Sequence, residues 1–255
     1  MIADKDAIEL YRKCQKIRAR YKGRDRDIYS QFFRGKLDSD WENHHPGGCK
    51  RDMTVFRRFN VIPEYCFDCY KVVLEPATVV EIFKIMMLFE RMDFPQDNTR
   101  KCMVEIRPEI SGTYKGLVYC RGLAEGKHLE TKIREAVYRE ISESLPVYLK
   151  RGCSEYALSY PDYAYQKTTM ATLEYRPEWR VYENMVDSNF VIDRQSRKKK
   201  SNNHATYTLR DADTMFYWLK YAATIGDSSY LAISREEIAP FGWQRPSPFR
   251  VTDNK

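Results

Sequence analysis

Between Cys66 and Asp162 the chain alternates short β-like runs with helix-like runs in an order that few folds accommodate. Tyr70-Lys71-Val72-Val73-Leu74 is built from β-branched and aromatic residues and is closed by Pro76, which reads as a strand. Thr78 to Met92 has helical length and is apolar nearly all round, which predicts a buried helix, stopped by Phe94-Pro95. Lys101 to Arg107 reads as a strand ending before Pro108, Ser111-Gly112 as a turn, and Tyr114 to Cys120 as a third strand. Residues 124–143 form a second helix, with Leu129, Ile133, Ala136, Val137 and Ile141 on one face. Val147 to Leu149 and Ser154 to Tyr160 supply the fourth strand.

The order β-α-β-β-α-β is that of the ferredoxin-like split βαβ core, an α+β fold with two helices on one face of an antiparallel sheet. It divides the chain into an N-terminal helical and loop segment (1–65), the core (66–162) and a C-terminal α+β extension (163–255). Period-two alternation puts Val72, Leu74, Cys102, Val104, Ile106, Val118 and Cys120 on one sheet face. The other face takes Lys71, Glu75, Glu105, Arg107, Lys115, Tyr119 and Arg121. Glu75 and Glu105 there are expected in cross-strand ion pairs.

Outside the core the pattern is plainer. Ala7, Leu10, Cys14, Ile17 and Tyr21 give residues 7–21 an amphipathic helix whose other face is basic. Gly35 to Lys50 reads as a loop, and Leu173 to Tyr182 as an aromatic extension of a sheet. Asp211 or Asp213 is expected to cap a helix running to Ile225 and ending at Gly226. The tail from Trp243 is expected to be extended.

Two constellations point to chemistry. His44-His45-Pro46-Gly47-Gly48-Cys49 is separated by 16 residues from Cys66-Phe67-Asp68-Cys69. A Cys-x2-Cys turn aims two thiolates at one ion, and Cys49 with His45 completes a tetrahedral set, for which zinc is the expected metal. An iron–sulfur cluster needs a fourth thiolate from Cys102, Cys120 or Cys153, and the first two lie on the apolar strand face. The plainer account is that Cys66 and Cys69 are small buried hydrophobes.

The second constellation is basic. Lys115, Tyr119, Arg121 and Arg107 share the polar sheet face and suit an anionic or stacking ligand. Arg197, Lys198, Lys199 and Lys200 form a basic run suited to phosphate or to a solvated loop. RNA-recognition modules use the same strand order, but here Leu117 and Gly122 hold places where those modules carry base-stacking aromatics.

Composition narrows the partners only mildly. Lys plus Arg is 43 against 36 Asp plus Glu, a net charge of +7, which tilts toward anionic partners such as nucleic acid. Seven cysteines, an odd number, suit a reducing compartment, and the acidic start lacks a secretory n-region, so the expectation is cytoplasmic. The longest apolar run, Val79 to Phe89, has 11 residues broken by Glu81 and Lys84, too short to span a membrane. No nucleophile elbow, phosphate loop, dinucleotide fingerprint or His-Glu-x-x-His motif is present. Three functions stay open: a zinc-stabilised binding or regulatory protein with basic surfaces, a metalloenzyme with an open coordination position, and a metal-free interaction subunit.

Overall fold

The computed structural model describes residues 1–20, 34–37, 48–94, 96, 98–164, 172–189, 207 and 209–240. The fold is α+β, and its sheet is antiparallel throughout. The strands are β1 (Arg34–Leu37), β2 (Cys69–Leu74), β3 (Arg100–Val104), β4 (Tyr114–Arg121) and β5 (Val147–Arg151), in the spatial order β1-β3-β4-β2-β5.

Helix α1 (Asp4–Arg20) precedes the sheet, and α2 (Gly48–Phe59) lies between β1 and β2. Helix α3 (Val79–Arg91) starts where it does because Thr78 and Glu81 form a capping box. The Thr78 hydroxyl accepts from the Glu81 N–H, and the Glu81 carboxylate accepts from the backbone of Ala77 and Thr78. With α4 (Gly122–Glu140), α3 covers one face of the sheet. Approach is close: a Cβ on Gly126 would stand 2.7 Å from Leu149, so α4 seats on β5 only through a bare backbone.

Tertiary placement explains why α3 is apolar on nearly every side. Its inner side meets the sheet, and its outer side meets α1, α7 (Leu209–Ile225) and α8 (Tyr230–Ser234). Phe83 packs edge-on to Trp218 at 6.1 Å, and both are buried. The Cys14 thiol reaches Met215 sulfur at 3.6 Å, and Arg18 pairs with Asp213 at 2.7 Å.

A second, smaller core stands at the Cys69 end of β2. Val55, Ile62, Phe67, Tyr156, Tyr163 and Trp179 fill it. They come from α2, the turn Glu64–Asp68, α5 (Ser154–Ser159), the turns Pro161–Tyr163 and Pro177–Trp179, and the loop at Ile62. Arg51 of α2 clamps α6 (Arg180–Asp187) to it through Glu183 at 2.6 Å and Asp187 at 2.7 Å.

Several expectations change. Ser154 to Tyr160 is helix α5, not strand, and β5 alone is the fourth strand of the core, running on to Arg151. The cause is Gly152, at φ +53°, where a Cβ would fall 1.8 Å from the Tyr163 hydroxyl; the chain turns there and leaves the sheet. Leu173 to Tyr182 joins no strand: it runs irregularly into the Pro177–Trp179 turn and α6. The stretch read as a loop from Gly35 to Lys50 contains β1 residues and the start of α2. β3 ends at Val104, and Ile106, assigned to the apolar face, is 56% exposed. Asp211 and Asp213 lie inside α7, where Asp213 serves as an ion-pair partner and not as a cap.

No helix among the described residues is long and apolar enough to cross a membrane.

Candidate functional site

The polar side of the sheet forms rows across its strands. Lys71 of β2 stands directly opposite Lys150 of β5 on one side and Tyr119 of β4 on the other. The next row runs Tyr148, Val73, Leu117 and Lys101. Beyond it Lys115 faces Met103. This face is largely enclosed, since Val73, Met103 and Leu117 are buried and so are Lys71 and Lys115.

Counter-charges are unevenly shared along these rows. Lys115 reaches Glu75 at 3.3 Å, and the Tyr148 hydroxyl donates to the same Glu75 oxygen at 2.7 Å. Burial and that bond push the Tyr148 phenol up. Arg107 is saturated: it meets Glu105 at 2.7 Å and Glu155 at 2.6 Å. Burial works against the Glu155 carboxylate, but its own helix-start N–H, Arg107 and Lys71 together hold it below its ordinary value.

Lys71 and Lys150 receive no such pairing. Lys71 is only 7% exposed and makes no hydrogen bond or ion pair among the described residues. Lys150 donates to the Ser154 hydroxyl at 2.9 Å, and no ion pair accompanies it among the described residues. Burial, then Lys71, then Lys115, bring the Lys150 ammonium down to about 8. Like charges directly opposite on a ladder repel, and enclosure strengthens the repulsion.

Of the residues picked from the sequence, Lys115 and Tyr119 therefore join the lysine-bearing face. Tyr119 also takes Lys101 over its ring at 5.4 Å. Arg107 is occupied by carboxylates, and Arg121 sits exposed at the end of β4, its N–H bonded to Glu125. Arg197, Lys198, Lys199 and Lys200 lie outside the described residues, as does His45. Sequence reasoning misses Lys150 because it ends the strand at Leu149. The signal that finds it is the alternation Tyr148, Lys150 carried one step further.

Of the cysteines that the sequence singles out, Cys66 lies in the adjoining small core and Cys153 packs against it. Cys66 lies with its sulfur 3.4 Å from the Tyr156 hydroxyl, and its carbonyl accepts from the Tyr163 hydroxyl at 2.6 Å. The Cys69 carbonyl accepts from the Gly152 N–H at 2.7 Å, which sets Cys153 beside it as the residue preceding α5. Cys49 is exposed in the first turn of α2. Burial drives the Cys66 and Cys69 thiols well up, and neighbouring Cys153 and Asp52 add to it, as does Cys49 for Cys69. None of the seven cysteines is in a disulfide, and no three His, Cys, Asp or Glu side chains among the described residues already stand grouped as a metal cage.

Comparison of the chain with protein-family models, with curated proteins and with solved structures finds no match.

Proposed function

We propose that this chain is a binding protein with a ferredoxin-like core that takes a small anionic ligand, bearing phosphate or carboxylate, between Lys71 and Lys150. One observation carries the reading: a nearly buried ammonium faces a second ammonium across the ladder, and neither forms an ion pair among the described residues, Glu155 acting on both only from beyond ion-pair distance. A buried charge is costly unless paired, and an anion bridging the two converts the repulsion into two charge-assisted contacts. Tyr119 and Tyr148, half-buried beside them, supply ring surface for the remainder of such a ligand.

The depth of the cations favours a small ligand over a nucleic-acid strand. Phosphate-backbone recognition uses exposed Lys and Arg that track along a surface. Here the side chain of Lys115 is 8% exposed and already engaged by Glu75.

Calorimetric titration at low ionic strength with inorganic phosphate and pyrophosphate, and separately with a single-stranded RNA oligonucleotide, tests the proposal. The expected result is phosphate or pyrophosphate binding that weakens about tenfold or more in Lys71→Met and in Lys150→Met. Undiminished binding in both variants, no binding of either anion, or a clear preference for the RNA overturns it.

A further inference from the structure

Lys71 and Lys150 differ in access. Lys71 is 7% exposed, whereas Lys150 is only partly buried and reachable from solvent. We propose that Lys150 is a nucleophilic amine that forms an imine with a small carbonyl compound bearing a carboxylate or phosphate, and that Lys71 holds the anionic group. This role rests on the anion-binding reading of the same face and adds to it the reactive group of the ligand.

The ladder sets the two lysines in these places. Lys71 and Lys150 are directly opposite on the antiparallel β2–β5 pair. Side chains so placed have their Cβ atoms about 4.5–5.5 Å apart, and the two stems are of equal length, so one small molecule spans both heads. In a 2-oxo acid the carboxylate is one bond from the carbonyl carbon. A carbon joined to Lys150 therefore leaves its anion within reach of Lys71.

The surroundings of Lys150 favour its neutral form. Lys71 from β2 and Lys115 from β4 both oppose its charge. Glu155 of α5 favours the ammonium, but Arg107 already takes that carboxylate at 2.6 Å. Cys153, ahead of α5, acts in the same sense as Glu155. On its own strand, the Tyr148 phenol is spent on Glu75. The group bonded to the Lys150 Nζ is the uncharged Ser154 hydroxyl, at 2.9 Å. Burial, then Lys71 and Lys115, hold the ammonium at about 8. About a tenth of such lysines are free amine at pH 7, against a few in ten thousand at an ordinary lysine. Desolvation beside a second cation is the arrangement that makes a lysine nucleophilic toward carbonyl compounds.

The step needs no further reagent. The ammonium first releases one proton to solvent. The Nζ lone pair then forms the C–N bond while the carbonyl π pair moves to oxygen, and a proton from nitrogen follows it there. A second proton, returned from solvent, carries that oxygen away as water as the nitrogen lone pair closes the C=N bond. The product is an iminium with the single positive charge the ammonium had, so the anion still lies between two cations.

Reductive trapping on the full chain tests the role. The protein is incubated at pH 7 with pyruvate, and separately with glyceraldehyde 3-phosphate, each with cyanoborohydride, which reduces an iminium to a stable secondary amine. Intact mass and peptide mapping read the adduct. The expected result is a single adduct, on Lys150, formed at least about tenfold faster than with the uncharged counterparts acetone and glyceraldehyde. Labelling by pyruvate alone assigns a carboxylate ligand, and by glyceraldehyde 3-phosphate alone a phosphate one. The rate should rise with pH through a midpoint near 8. Lys71→Met should slow labelling by about tenfold or more, and should move the midpoint up because a like charge is gone. Should Lys71→Met fail to fold, inorganic phosphate added to the wild-type reaction should slow labelling of Lys150 instead. Lys150→Arg keeps a cation on the ladder but cannot form an imine, and should give no adduct while its circular dichroism shows it folded. No adduct with either compound, adducts spread evenly over exposed lysines, uncharged carbonyls reacting as fast as charged ones, or a midpoint at the ordinary lysine value overturns the proposal. Phosphate binding by calorimetry without an adduct refutes the imine alone, and absence of both refutes the anion site with it.

Discussion

Replacing Arg51 by methionine should be among the most damaging single changes in the chain. Arg51 is 5% exposed, and its guanidinium engages three carboxylates at once. It grips Asp187 with two parallel bonds of 2.8 and 2.7 Å, Glu183 at 2.6 Å and Asp52 at 3.3 Å. Glu183 is fully buried. Methionine keeps the stem packing but strips the cation bonded to that carboxylate. Breaking a buried pair from one side costs about 3–5 kcal/mol, because the surviving charge stays desolvated. Two donors remain on the other Glu183 oxygen, the Glu64 N–H at 3.1 Å and the Tyr175 hydroxyl at 2.8 Å, which puts the expected loss at the lower end, about 3 kcal/mol. For a chain of this size that corresponds to a fall in Tm of roughly 6–12 °C. Urea unfolding followed by tryptophan fluorescence reads it directly, since Trp179 sits in the same small core. Adding Glu183→Met removes the stranded carboxylate and should recover much of the loss. A single variant within about 1 kcal/mol of wild type, the usual surface-pair standard, or a double variant no more stable than the single, would show that the clamp does not hold α6 in place.

Two further outcomes follow from the geometry. Lys150→Met should stabilise the protein at neutral pH: an ammonium held at about 8 against an ordinary 10.5 is penalised in the folded state in full below pH 8, progressively less up to 10.5, and not at all above. Solvent screening at this half-exposed site limits the gain to about 1 kcal/mol, and chemical denaturation at pH 7 and pH 10.5 should show it at the first and not at the second. Gly152→Ala should cost several kcal/mol by about the scale of a strained, overpacked site, because φ is +53° and the new methyl meets the Tyr163 hydroxyl. Thermal unfolding checks it, and pairing it with Tyr163→Phe should relieve part of the loss, since the clash includes the hydroxyl oxygen.

Local chemistry makes much of the core readable from the chain. Pro76 ends β2's run, Thr78 and Glu81 start α3, and Gly226, at φ +83°, closes α7. These signals act within a few residues, so the order of bonds and the order of the chain coincide. The aromatic-rich stretches mislead for the opposite reason. Ser154 to Tyr160 has residues at home in either a strand or a helix, and what decides is that Tyr156 must enter a core shared with Phe56 and Tyr163, the first of them on a segment far away in sequence. Ile106 points inward by alternation, but pairing regular enough to keep alternation in force stops at Val104.

The lysine face is half legible. Alternation along β2 and β4 sets Lys71, Lys115 and Tyr119 on one side, because side chains of a strand must alternate whatever its neighbours are. It does not say that Lys71 meets Lys150, or that Glu75 goes to Lys115 and Tyr148 and leaves the other two ammoniums without an ion pair among the described residues, because register and enclosure are properties of paired strands. The cysteines divide the same way. From the chain alone come the α+β class, most of the strands and the Cys66–Cys69 turn, all matters of near neighbours and period. Which cations lie buried together, and that Cys153 stands beside Cys69 across 83 intervening residues, is decided only when β2 and β5 close their hydrogen bonds, since a ladder fixes distances that no spacing along one strand contains.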